Sequence, residues 1–142
     1  MSNPGPASTS SIHPSNLATN QAIRLLAVIN GASVGTTGDT ATFAIQNSTS
    51  YCIQNVAITN ANKDVSTAAL AIWTGPAGTG TEVVTNAALT SNTSSAYVTN
   101  ATVVAGTKTT NLSAQTLYVK VGTAVAGGTV DIYVYGYDFG SF

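Results

Sequence analysis

The run Thr129 to Phe139, TVDIYVYGYDF, alternates along its whole length. Val130, Ile132 and Val134 fall on one side; Asp131, Tyr133, Tyr135, Tyr137 and Phe139 fall on the other. Side chains along a strand repeat every two residues, so the run predicts a β-strand of about ten residues, roughly 33 Å long. One face is small, β-branched and apolar, which suits a sheet interior. The other carries three tyrosines and a phenylalanine. Those rings are too apolar for an idle surface, and each phenol wants a partner or water. The aliphatic face is therefore expected in the core. The aromatic face is expected half-buried, under an N-terminal arm or a neighbouring subunit. The alternative is that the rings cover the other side of a sandwich.

The rest of the chain follows the same grammar. Ala22 to Asn30 is apolar on both faces and predicts a central, doubly covered strand. Gly31, Gly35, Gly38 and Asp39 punctuate a loop. Thr40 to Gln46 alternates with Phe43 and Ile45 inward. Tyr51 to Asn60 is a strand whose phase slips around Gln54-Asn55, which predicts a bulge or bend. Asn60 to Asp64 is a polar turn. Ala68 to Thr74 puts Leu70 and Ile72 on one face and Trp73 on the other. Gly75 to Gly80, GPAGTG, is a turn, and Thr81 to Thr85 a short strand after it. Residues 86–95 favour no element. Tyr97 to Val104 and Leu117 to Val121 are strands, with Lys120 toward solvent, and Ala124 to Gly128 turns the chain into the final strand. About eight strands at roughly ten-residue spacing, with no helix, predict an all-β fold: an antiparallel β-sandwich, jelly-roll-like.

The first twenty residues differ. Residues 1–20 hold Pro4, Pro6 and Pro14, many serines, and only Ile12 and Leu17 as large apolar groups. Such a segment cannot bury enough surface to offset its own ordering entropy. It reads as an extended arm, reaching at most about 65–70 Å, ahead of a sandwich domain over residues 21–142. Its expected use is docking on a neighbouring chain through Pro4, Pro6, Ile12, His13, Pro14 and Leu17. No apolar stretch follows Met1-Ser-Asn-Pro, so no secretory signal is expected.

Charged residues make up only 6% of the 142-residue chain, against roughly 25% in an average soluble domain. The gaps are filled by Ser, Thr, Asn, Ala and Gly. The longest apolar runs, such as Ala22 to Ile29, are too short to span a bilayer and include Arg24, so no membrane partner is expected. Arg24, Lys63, Lys108 and Lys120 are scattered and cannot track a phosphate backbone, so no nucleic acid is expected either. A neutral surface with net charge −1 gives little colloidal repulsion and suits burial by neighbours in an assembly.

Chemistry-bearing residues are few. His13, the single histidine, sits in the arm with no partner to orient it as a base. Cys52, the single cysteine, excludes an internal disulfide and reads as a small buried hydrophobe. Of the acids Asp39, Asp64, Glu82, Asp131 and Asp138, only the last two share a strand, and they face opposite sides. Paired-carboxylate catalysis is not expected. Asp39 and Asp64 read as turn formers. No calcium loop occurs, and the glycine run lacks the lysine of a phosphate-binding loop. Asn47, Asn92, Asn100 and Asn111 open N-x-S/T patterns expected by chance in so polar a chain. Trp73 reads as a core residue capping the sandwich, with stacking on a sugar as the other option. No catalytic residue, cofactor or metal site is expected.

Two stretches add a resemblance. Tyr51 to Val84 contains V-A-I-T-N and W-T-G-P-A-G-T; Leu117 to Gly136 contains L-Y-V-K-V and D-I-Y-V-Y-G. Together these resemble small β-sandwich proteins encoded among the head genes of tailed bacteriophages. The shared motifs are structural and carry no functional residues. The resemblance implies a capsid decoration, or cement, protein: a non-enzymatic structural protein of the virion, made in the host cytoplasm and placed on the outer surface of the capsid. It would clamp neighbouring subunits of the major capsid protein and would commonly be a homotrimer. The aromatic residues Tyr133, Tyr135, Tyr137 and Phe139 are the candidate subunit interface. The alternative function is a carbohydrate- or receptor-binding module of a phage fibre or head spike, built on Trp73 and exposed tyrosines.

Overall fold

The computed structural model describes residues 22–139. The arm over residues 1–20, with Pro4, Pro6, Ile12, His13, Pro14 and Leu17, lies outside them. Eight strands follow in order: β1 (Arg24–Ser33), β2 (Gly38–Ala44), β3 (Tyr51–Thr59), β4 (Ala69–Gly75), β5 (Thr79–Ala88), β6 (Thr99–Ala101), β7 (Thr116–Thr123) and β8 (Thr129–Asp138). A five-residue helix, α1 (Ala105–Thr109), precedes β7.

The strands form two four-stranded sheets, ordered β1-β8-β3-β6 and β2-β7-β4-β5, and every pairing is antiparallel. The pairs nest. β4 and β5 form a hairpin at the middle of the chain, and around it β3 meets β6, β2 meets β7, and β1 meets β8. The protein is thus an all-β sandwich. The two open sides are stitched at points: Gln46 N–H donates to Leu26 O at 2.7 Å, and Thr85 N–H to Thr102 O at 3.1 Å.

The core lies between the sheets. β8 supplies Val130, Ile132 and Val134, all fully buried, and β7 opposes them with Leu117, Val119 and Val121. Leu70 and Ile72 point inward from β4, and Phe43 and Ile45 do so from and just beyond β2 as expected. Burying one such side chain contributes about 1.5–3 kcal/mol. The expected slip in β3 is present as a register shift between Ile53 and Asn55. It lets Tyr51, Ile53, Val56 and Ile58 all reach the core.

Several elements depart from the sequence pattern. Among the described residues β1 is an edge strand, not a doubly covered central one, and β8 holds a central place instead. The apolar residues of β1 are shared between the core and an outer face because register shifts interrupt its alternation, one between Leu25 and Ala27 and one between Ile29 and Ala32. Gly31, at φ 69°, sits in the second bulge rather than in a loop. β5 is ten residues long instead of five. The strand expected over Tyr97 to Val104 shrinks to Thr99–Ala101, with an isolated bridge at Val103, and Tyr97 and Val98 stand exposed. Helix α1 was hidden by its Gly, Thr and Lys content, since such residues give no apolar period to read.

Two residues fix the sandwich in ways that can be measured. Gly136 lies in β8 where a Cβ would fall 1.9 Å from the carbonyl oxygen of Cys52. Gly136→Ala is expected to force β8 away from β3 and to lower stability by at least about 3 kcal/mol, at the upper end of overpacking costs. A urea midpoint equal to the parent's would contradict this. Tyr51, fully buried, donates its hydroxyl to the Ala114 carbonyl. Burial raises its pKa from 10.0 to about 12. The unfolded chain therefore loses this proton first. The contribution of Tyr51 is complete below pH 10 and is lost as pH rises from 10 to about 12. In Tyr51→Phe, the fall in melting temperature over that window should be shallower than in the parent.

Candidate functional site

The row of aromatic residues on β8 runs down the middle of the first sheet, on its outer face. Tyr133 faces Val28 of β1 and Ala57 of β3; Tyr135 faces Leu25 and Asn55; Tyr137 faces Cys52. All three tyrosines are half-buried, as the alternation predicted. At the margin Ile23 is 52%, Leu25 46% and Phe139 41% exposed. These side chains form a contiguous patch of apolar and aromatic surface, of a kind that marks contact sites on soluble proteins. None of the three phenols hydrogen-bonds another described residue. Their hydroxyls remain available to a partner or to water. Cys52 is buried on this same face beside Tyr137, not in the core between the sheets. The Gln54 amide covers it by donating to Cys52 Sγ at 3.3 Å and to the Lys108 carbonyl of α1.

The contribution of β1 to this patch was not legible in the sequence. By pattern, Ile23, Leu25 and Val28 belong to a strand covered on both faces. The edge position of β1 and its bulge beyond Leu25 turn Leu25 and Val28 outward beside the tyrosines.

The acids are dispersed, and four of the five hold structure. Asp131 lies on the outer face, where it accepts from Gly31 N–H at 2.7 Å and from Asn60 Nδ2 at 2.8 Å. It thereby fixes the β1 bulge and the turn after β3. Asp138, on the opposite face as expected, is buried; it accepts from Ser48 Oγ at 2.6 Å and pairs with the Arg24 guanidinium. This is the one ion pair among the described residues, and it locks the start of β1 to the end of β8. Asp64 caps a turn by accepting from Ser66 N–H at 2.9 Å; hydrogen bonds from the Ser66 side chain and backbone hold its pKa below the ordinary value. Asp39 is not a turn former. It lies in β2 and accepts from Ala77 N–H at 2.6 Å, across the sheet. Glu82 makes no hydrogen bond or ion pair with the described residues. Among those residues, no three of His, Cys, Asp and Glu gather as a metal site would require.

Asn92, one of the four N-x-S/T asparagines, is fully buried. Its Nδ2 donates to Ile58 O at 3.0 Å and to Tyr97 O at 3.2 Å, so it holds the 89–97 loop against β3. His13 falls outside the described residues. Trp73 overturns its expectation. It is not a core cap but sits partly exposed on the outer face of the second sheet, because Leu70 and Ile72 take the inward positions of β4. Lys120 also lies on that outer face, as its alternation with Leu117, Val119 and Val121 predicted.

No protein-family model, curated protein or solved structure matches the chain.

Proposed function

We propose that the protein is a structural, non-catalytic virion component that decorates a phage head from the outside and clamps neighbouring major capsid subunits. The observation that carries the reading is the outer face of the β1-β8-β3-β6 sheet. A central tyrosine row, flanked by Leu25, Val28 and the exposed Ile23 and Phe139, presents three phenols with no described partner. Four acids are engaged in holding turns, bulges and strand ends, which leaves no convergent carboxylate pair. The nested strand pairing supports a jelly-roll reading of the sandwich, an architecture used in viral shells and lectins. That likeness is one of fold alone. The placement on a phage head rests on the sequence resemblance.

The mechanism is mechanical. Each copy adds buried area across a joint between shell subunits, and repetition around the shell multiplies a modest contact by avidity. The apolar face is covered by further copies around a closed axis, since homo-oligomers usually close. A trimer is the form the resemblance implies. The segment 1–20 supplies reach to the shell.

Sedimentation of the purified full chain should give a trimer at micromolar concentration. Tyr135→Glu places an unpaired charge in the interface and should weaken assembly by several kcal/mol, the order of an uncompensated buried charge. A monomeric parent, or a variant that assembles equally well, would sink the assembly. Removal of residues 1–20 should leave a folded chain that no longer sediments with purified virions. Equal recovery of both forms would remove the arm from the mechanism, and absence of the full chain from virions would remove the capsid. The second reading, a carbohydrate- or receptor-binding module, has one observation in its favour: Trp73 faces outward.

A further inference from the structure

The outer face of the second sheet carries a concavity of about 250 Å³ that the assembly reading does not use. It is lined by Ala71 and Trp73 of β4, Glu82 and Asn86 of β5, and Lys120 and Gly122 of β7. The pairing explains how these residues meet. Trp73 lies opposite Glu82 on one side, and Ala71 lies opposite Lys120 on the other. Ala71 and Gly122 are small, so they form a floor. The four larger side chains rise around it.

Two glycines leave space beside the walls. A Cβ on Gly122 would lie 2.7 Å from Asn86 Oδ1, so the glycine makes room for the amide to lean over the sheet. A Cβ on Gly78 would lie 2.8 Å from Lys120 Nζ. Lys120 reaches over that glycine to donate to Ala77 O at 3.2 Å. Asp39 accepts the N–H of the same Ala77, which holds the left-handed φ of 56°. The GPAG turn is therefore anchored at both ends of one residue, and it anchors Lys120 in return.

The polar groups of the concavity are uncommitted. Glu82 and the Asn86 amide make no hydrogen bond with the described residues, and Lys120 spends one donor of three on Ala77. An indole wall beside a carboxylate, an amide and an ammonium group matches one ligand chemistry closely. A pyranose ring presents a flat C–H face that packs on an indole and a rim of hydroxyls that donate to carboxylate and accept from amide and ammonium. The size suits one ring, below the usual range for drug-sized ligands. One negative and one positive side chain leave the site neutral overall, so it carries no net positive charge to favour an acidic sugar.

We propose that Trp73, Glu82, Asn86 and Lys120 form a binding site for a neutral hexopyranoside. Trp73 is the stacking wall, Glu82 the acceptor for neighbouring hydroxyls, and Asn86 and Lys120 the donors. The site lies on the sheet opposite the tyrosine face, so it is compatible with assembly but does not depend on it.

Trp73 is the single tryptophan of the chain, so its fluorescence reports this site alone. The full chain is titrated with the methyl glycosides of glucose, galactose and mannose, with N-acetylglucosamine, and with glucuronate and N-acetylneuraminate. A saturable emission change with at least one neutral sugar is expected. Isothermal titration should then show that Asn86→Ala and Glu82→Gln each weaken that sugar about tenfold, the order of one hydrogen bond to a charged or polar group. Trp73→Ala should abolish binding, while Thr42→Ala, on the neighbouring β2, should leave it unchanged. Circular dichroism establishes that each variant is folded, and the two polar variants keep the test open if Trp73→Ala is not. No saturable response to any neutral sugar, a response to the acidic sugars alone, or parent-like affinity in both polar variants would each overturn the proposal.

Discussion

β8 is hydrogen-bonded along both edges, to β1 on one side and β3 on the other, and it presents a different surface above and below. Its inward side chains, Val130, Ile132 and Val134, are fully buried against the opposite sheet. Its outward side chains are the tyrosine row. Because the side-chain period is two, a slip of one residue would exchange these surfaces and put phenols into the core. Register in β8 is therefore held from several directions. Gly136 admits the β3 backbone at close range, Asp131 anchors the β1 bulge, and buried Asp138 closes the end with Arg24 and Ser48.

The same economy explains how a chain with so few charges keeps its loops in order. Three of the five acidic side chains accept from a specific backbone donor: Gly31 for Asp131, Ser66 for Asp64, Ala77 for Asp39. Asparagines do the rest, as with Asn92 and its two carbonyls, and Asn62, which accepts from Thr129 N–H at 2.9 Å at the entry to β8. Such bonds matter because a buried backbone group without a partner costs about as much as a lost hydrogen bond. The consequence is two outer faces with different characters. One is broad, apolar and aromatic. The other carries a small concavity with an indole wall and uncommitted polar groups. Assembly through the first would leave the second accessible.

Alternation alone was enough to identify the all-β class, the inward residues of β2, β7 and β8, and the slip in β3. These follow from a local rule: a half-buried strand must segregate its side chains every second residue. The half-burial of the tyrosines was also readable, since rings of that size on one strand face are rarely left in water. What local pattern does not contain is which strand lies next to which. Ala22 to Asn30 reads as apolar on both faces whether it sits at an edge or in the centre. Only the pairing of β1 with β8, and the lack among the described residues of a neighbour on the other side, turned Leu25 and Val28 into surface. Trp73 shows the same limit. Its alternation with Leu70 and Ile72 was correct, but whether the odd or the even face met the core depended on the opposing sheet. The concavity was invisible for a similar reason: Trp73, Glu82, Asn86 and Lys120 come from three strands, brought together by a hairpin and by a long-range pairing between β4 and β7. Local pattern sets the period of each strand and hence the two sets of side chains it can offer. The tertiary structure decided which set was buried, because burial depends on what packs above each sheet, and that is fixed only when distant strands pair.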